Sequence, residues 1–322
     1  MTARPGTRGP RLRPGDAVGV VAPCSPVAGE LLDAGLDVLR GWGLEVVEGE
    51  HLRGHHPRLP YLAGTDADRA ADLQRAWLDP RTAAVFCARG GDGAHRVLDH
   101  LDFAELRRAP AKTLVGFSDV TALHEAFAVE LGAATLHAPV LALESFTEDT
   151  RATEHLHTTL FEPERATVLT APGGEAAETL VPGTARGVTM GGNLSVLNDS
   201  LAAPHSRPSA RGGLLLLEDV NEDVSRIDRM LTQLLRSGWL EGVAGVLLGS
   251  WQGCTPDAAT VRTLMLERLA PLGVPVVGEF GFGHRPAQIT VPLGAPATVD
   301  ADARTLTLDR PALGPPVTRH RP

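Results

Sequence analysis

The chain of 322 residues has only three cysteines, Cys24, Cys87 and Cys254. They are far apart, odd in number and in no C-x-x-C pair, which argues against a disulfide framework and a zinc site and fits a reducing compartment. Positive charge is not in excess either. Thirty basic against 39 acidic residues leave a formal charge of -9, so a phosphate-tracking surface is not indicated and nucleic acid is not an expected partner. Short basic clusters at Arg4 to Arg13 and Arg319 to Arg321 read as solvated tails. The opening "MTARPGTRGPRLRPGD" lacks the apolar stretch of a secretion signal, and no later run approaches the length of a membrane span. A cytoplasmic location without a membrane partner is therefore expected. No internal repeat or low-complexity tract is evident.

What is present is enough apolar material for a sizeable core and two domains, at 43% hydrophobic and 21% charged residues. From residue 17 to about 140, short β-branched or apolar runs alternate with longer amphipathic segments. That rhythm predicts an α/β fold with an N-terminal parallel sheet flanked by helices, Rossmann- or flavodoxin-like. Ligands in such sheets collect at the carboxyl ends of the strands. Three ends here are chemically loaded: "PCSP" at 23 to 26, "RGGDG" at 89 to 93 and "GFSD" at 116 to 119. The expected division is an N-terminal domain over 1–145, a crossover over 146–185 with little periodicity, and a smaller mixed α/β C-terminal domain with short strands over 186–322.

Ser118 sits at a strand-to-helix turn, where its hydroxyl is exposed and the following backbone N–H groups face developing negative charge. That placement suits an acyl-transfer nucleophile, but a helix cap by Ser118 or Asp119 explains the same residues. The turn is not the hydrolase elbow G-x-S-x-G, because residue 120 is Val. "RGGDG" can bring N–H groups close to a substrate oxygen, or it can be a tight turn. It has neither the GK[ST] of a phosphate loop nor the third glycine of a dinucleotide fingerprint, so no nucleotide cofactor is expected. Glu218 ends the apolar run "LLLLE", where a carboxylate is costly without a partner such as histidine. His284 lies in "FGFGHRPAQ", a loop whose glycines and proline could hold an imidazole at a domain face. "HEAFA" at 124 to 128 begins like a metalloprotease helix but has Ala128 where the second histidine must be, so no metal site is expected.

Together, "VGVVAPCSP", "ARGGDGAHRVLDHLDF", "LVGFSDVTALH", "GGNLSVL", "LEDVNEDVSRIDRMLTQLLRSG" and "GHRPAQITVPLG" resemble the LD-carboxypeptidase family of serine peptidases, which includes cytoplasmic muropeptide LD-carboxypeptidases and microcin C immunity peptidases. The resemblance implies a Ser118, Glu218 and His284 triad, an oxyanion hole from the N–H groups of Gly91 and Asp119, and no metal or organic cofactor. It implies a homodimer acting on a muropeptide tetrapeptide, with Asp92 and Asn193 as candidate substrate contacts.

The sequence departs from the family pattern at Asp92, where tyrosine is usual, at Ala138, where glycine is usual, and in "EDVSRID", which lacks a tyrosine near 225. The immunity branch, which cleaves peptidyl or aminoacyl nucleotides, uses a tryptophan-bearing loop before "GGNLS". Residues 143 to 190 contain no tryptophan, which favours the muropeptide reading. A non-catalytic peptide binder on the same two domains is the remaining alternative.

Overall fold

The computed structural model describes residues 2–172 and 177–316. Its first sheet is built from β1 (Ala17–Val21), β2 (Glu45–Glu48), β3 (Thr82–Cys87), β4 (Thr113–Gly116) and β5 (Thr135–His137). These run parallel in the order β2-β1-β3-β4-β5. That is the flavodoxin-type order, in which the strand sequence reverses between β1 and β3 and leaves a crevice at their carboxyl ends. "PCSP" follows β1, "RGGDG" follows β3, and "GFSD" spans the end of β4, so all three meet at this crevice.

The second sheet takes β6 (Val168–Leu169), β7 (Glu178–Val181), β8 (Thr184–Asn193), β9 (Gly213–Val220), β10 (Gly245–Gln252) and β11 (Val276–Gly278). After β12 (Val291–Leu293), β13 (Pro296–Asp300) and β14 (Thr305–Leu308) complete it, in the order β6-β14-β13-β8-β9-β10-β11-β7. Its centre, β8 to β11, is parallel and its flanks are antiparallel. With eight strands it outnumbers the first sheet. The strand β12 belongs elsewhere. It pairs antiparallel with β5, so the late part of the chain returns to edge the first sheet.

Strand alternation explains how β9 serves both faces. Leu215 and Leu217 pack with Ile227, Met230, Leu231 and Leu234 of the helix Val224–Arg236. Leu214 and Leu216 face the other way, into a core shared with Val18, Val20, Val115 and Leu136 of the first sheet. Glu218, next in that second series, is aimed by the same alternation toward the junction of the two halves.

Two local expectations differ. Residues 146–185 contain a helix, Thr150–Phe161, whose Ala152, Leu156, Thr159 and Leu160 are buried on one face and whose N-terminus is capped by Asp149. The polar Thr and His residues of "TRATEHLHTTLF" dilute the apolar stripe enough to hide its period. The N-terminal basic segment is docked instead of solvated: Ala3, Gly6 and Thr7 donate backbone hydrogen bonds to Arg211, Gly294 and Gly132, and Arg11 donates to Gly314. Arg319 to Arg321 lie outside the described residues. No helix among the described residues is long and apolar enough to cross a membrane.

Candidate active site

Ser118 opens a 3-10 turn directly after β4, with φ at +65°. The left-handed region costs a residue with a β-carbon roughly 1–2 kcal/mol. Such strain persists where the surroundings over-determine it. Here the surroundings are Gly90 and the loop that follows it: a β-carbon on Gly90 would stand 2.9 Å from Ser118 Cβ and 3.1 Å from its Oγ, so the glycine lets the loop lie against the serine.

His284 reaches the serine from the second half of the chain. Its Nε2 is 3.1 Å from Ser118 Oγ and its Nδ1 is 2.6 Å from Glu218 Oε2. The His284 backbone N–H also donates to Glu218 Oε2, at 3.3 Å. The approach requires glycine at 283, where φ is +92° and a β-carbon would come within 2.8 Å of Glu218 Oε2. The imidazole packs against Phe117 at a ring separation of 4.7 Å, which closes one side of it to water.

Glu218 is fully buried, so its charge needs compensation within the protein. Burial pushes its carboxyl upward, but the hydrogen bond and charge of His284 outweigh this and hold it below the usual value. Burial likewise works against a charged His284, and again the Glu218 pairing wins, raising the imidazole above its ordinary value. The two shifts agree in sign with one strong pair.

Asn193 places the other Glu218 oxygen. Its Nδ2 donates to Glu218 Oε1 at 3.3 Å and to Asp219 Oδ1 at 3.1 Å. Its Oδ1 accepts from Ser195 Oγ and from the N–H of Val196, capping the helix Leu194–Asp199. The residue expected to touch substrate is thus buried, with both ends of its amide engaged inside the protein. Its own N–H donates to Thr121 Oγ1 at 3.0 Å, tying "GGN" to the helix behind Ser118. Gly192 permits that approach, since a β-carbon there would lie 2.5 Å from Thr121 Oγ1.

Asp119 caps neither its own helix nor anything in solvent. Its Oδ2 accepts from the N–H of Ala94 at 2.8 Å, at the start of the helix after the glycine loop. Ser25 fixes the same loop, its N–H donating to Gly90 O at 3.2 Å and its Oγ accepting from the N–H of Asp92 at 3.0 Å. Gly91 has φ at +103°, and a β-carbon there would meet Ser25 Oγ at 2.2 Å. Neither the Gly91 N–H nor the Asp119 N–H has a protein acceptor among the described residues. The Asp92 side chain is exposed at the mouth of the loop.

His284 is therefore within hydrogen-bonding reach of both Ser118 and Glu218, which lie 166 and 66 residues before it in the chain. Sequence reasoning missed three neighbours. Ser25 was signalled only by its place at a strand end. Thr121 carried no signal. His137 lies buried between Phe117 and Phe282, at ring separations of 5.7 and 5.5 Å, with burial holding it down to about 4. Among the described residues, no cluster of three or more His, Cys, Asp or Glu side chains is arranged to hold a metal ion.

Comparison with known proteins agrees with this architecture. The model of the LD-carboxypeptidase N-terminal domain matches residues 18–138, and that of the C-terminal domain matches residues 186–299. A Streptomyces coelicolor protein whose name assigns it, provisionally, as a carboxypeptidase is 59% identical over 306 residues, covering 95% of this chain and 97% of its own. The murein tetrapeptide carboxypeptidase of Pseudomonas aeruginosa is 30% identical, covering 94% and 99%. Among solved structures, MccF in complex with glutamyl sulfamoyl guanosine superposes with a TM-score of 0.84 at 19% identity, covering 95% and 99%, a likeness of fold. Two family models and a relative aligned almost end to end place the chain in the LD-carboxypeptidase family, as a serine carboxypeptidase.

Proposed function

We propose that the protein hydrolyses the amide joining the L-centre of a diamino acid to a terminal D-alanine in muropeptide tetrapeptides, through a Ser118, His284 and Glu218 acyl-enzyme mechanism. The observation that carries this reading is the continuous chain of contacts from Glu218 Oε2 through His284 to Ser118 Oγ, at 2.6 and 3.1 Å. With the Nδ1 proton donated to Glu218, the Nε2 lone pair faces the serine hydroxyl and can take its proton. Ser118 Oγ then bonds to the amide carbon, and the carbonyl oxygen becomes an oxyanion. The unpaired N–H groups of Gly91 and Asp119 are the donors offered to it, and one such donor is typically worth about 3–4 kcal/mol.

Collapse of the tetrahedral species breaks the C–N bond, and His284 returns the proton to the departing D-alanine amine. Water, deprotonated by His284, releases the shortened peptide and restores Ser118. Glu218 stabilises the imidazolium in both halves, and Asn193 acts through Glu218. The murein name of the Pseudomonas aeruginosa relative supports the substrate class. A cytoplasmic site of action and a homodimeric state belong to the same proposal, and sedimentation of the purified protein tests the second.

The deciding experiment is mass spectrometry of wild-type and Ser118→Ala protein incubated with a muropeptide tetrapeptide and, separately, with an aminoacyl nucleotide. Loss of one alanine from the tetrapeptide, by wild type alone, is the expected result. Cleavage of the nucleotide conjugate alone moves the chain to the immunity branch. Turnover by Ser118→Ala near the wild-type rate refutes the mechanism.

A further inference from the structure

Arg69, near the start of the helix Asp66–Leu78, is only 1% exposed. A guanidinium so far from water is costly unless it is paired and hydrogen-bonded. Its Nη2 donates to Asp66 Oδ1 at 2.5 Å. Asp66 has a second cation, however, because Arg96 donates to it from Nε at 3.0 Å and from Nη2 at 2.7 Å. The Arg69 Nε is buried with no acceptor among the described residues, a further cost. The ion pair alone therefore does not account for burying this arginine.

The rest of its fork reaches the loops at the strand ends. Nη1 donates to Pro23 O, in "PCSP" after β1, and to Gly93 O at 2.9 Å, at the end of "RGGDG" after β3. Glycine at 93 permits this grip, since φ there is +102° and a β-carbon would stand 2.9 Å from Arg69 Nη1. The Gly93 carbonyl belongs to the same peptide group as the Ala94 N–H, which donates to Asp119 Oδ2 at 2.8 Å. One peptide plane is thus held at both ends, its oxygen by Arg69 and its N–H by Asp119. A peptide group is rigid and planar, so turning its oxygen turns its N–H as well.

We propose that Arg69 is a positioning residue for the oxyanion hole: it fixes the Gly93–Ala94 peptide and, through it, the spacing between the N–H groups of Gly91 and Asp119. Gly91 lies two residues before the gripped carbonyl, on the same loop, and Asp119 binds the other end of the same peptide. The hold on Pro23 O ties this loop to "PCSP", whose Ser25 already binds Gly90 and Asp92. Buried as it is, Arg69 acts through the loop and not on the substrate. The inference rests on the acyl-enzyme reading of Ser118, with Gly91 and Asp119 as oxyanion donors, and not on which peptide is cleaved.

Two measurements on the full-length protein test it: the rate at which a small fluorophosphonate modifies Ser118, and kcat and KM for a muropeptide tetrapeptide. In the first, Ser118 Oγ bonds to phosphorus, fluoride leaves, His284 takes the serine proton, and the phosphoryl oxygen gathers the charge that oxyanion donors stabilise. Arg69→Lys, which keeps the charge without the fork, and Arg69→Gln should each slow modification and lower kcat by at least about tenfold, with KM changed by less than about twofold. Arg96→Gln removes the other cation from Asp66 but leaves both loop carbonyls held, and should stay within about twofold of wild type in both rates. Should the Arg69 variants not fold, Asp66→Asn, which loosens Arg69 from a partly exposed position, takes their place and should slow both rates several-fold. Modification at the wild-type rate, a rise in KM at constant kcat, or an equal loss in Arg96→Gln overturns the inference. A wild type whose Ser118 is modified but which cleaves no tetrapeptide defeats only the muropeptide reading, and the modification rates then decide the role of Arg69. A wild type in which Ser118 is not modified defeats the acyl-enzyme mechanism and this inference with it.

Discussion

Gly283, in the loop after β11, lies so close to Glu218 at the end of β9 that a β-carbon on it would fall 2.8 Å from Glu218 Oε2 and 2.9 Å from its Cβ. The glycine is therefore part of how His284 reaches its carboxylate. Gly283→Ala should cost about 1–3 kcal/mol of stability, from the φ of +92° alone. It should also lower kcat/KM by more than tenfold, because the carboxylate must move. Thermal melts and steady-state hydrolysis measure the two effects separately, and full activity in the alanine variant would contradict the assigned contact.

The pH dependence follows from the same pair. The raised His284 must be neutral to act as a base, so kcat/KM should fall on the acid side with an inflection above the ordinary histidine value of about 6.5. In Glu218→Gln the hydrogen bond to a charged carboxylate and its attraction are gone, the smaller attraction of Asp219 remains, and burial, which lowers His284 and is the largest influence on it, dominates. The inflection should then move below about 6.5 while the plateau drops by about 10⁴-fold, as when a triad carboxylate is neutralised elsewhere. A pH profile of both proteins decides the matter, and an unmoved inflection would mean that another group titrates.

The φ of +65° at Ser118 separates catalysis from stability. Ser118→Ala and Ser118→Gly should both abolish turnover, but only the alanine retains a β-carbon in the left-handed region. The glycine variant should therefore be the more stable of the two, by up to about 1 kcal/mol. Denaturant unfolding compares them directly, and a less stable glycine variant would argue against the strained turn.

Ser25 holds the glycine loop through its contacts with Gly90 and Asp92. Ser25→Ala should lower kcat by about tenfold, short of the 10²–10³ seen when an oxyanion donor is removed outright. KM should change less than kcat, since the loop's proposed task lies in the transition state. A rise in KM at constant kcat would reassign the loop to ground-state binding.

The alternation of β-rich and amphipathic runs made the first sheet legible, because a parallel sheet with both faces covered needs apolar strands separated by helices. The strand order was not legible, since no local pattern states which strand pairs with which. Glu218 stood out because a carboxylate after four leucines violates the apolar pattern, and the structure supplies the histidine that such a violation demands. Asn193 was expected as a substrate contact, and its engagement with Glu218 and Asp219 instead depends on strands β8 and β9 lying side by side, which no local pattern states. Ser25 and Thr121 act by contacts with distant parts of the chain, which composition and spacing do not encode.

The return of β12 to the edge of the first sheet has a consequence for the order of synthesis and folding. Val291 and Leu293 pair with His137 and Thr135, so a nascent chain that has emerged only as far as the first sheet carries an unpaired strand edge. That edge stays open until more than 150 further residues have been made. A ribosome-bound fragment ending before β12 would present β5 as a template for pairing with another chain, and closing so long a loop is slow. The same late segment delivers His284, so the completion of the sheet and the arrival of the imidazole at Ser118 are one event in the life of the polypeptide.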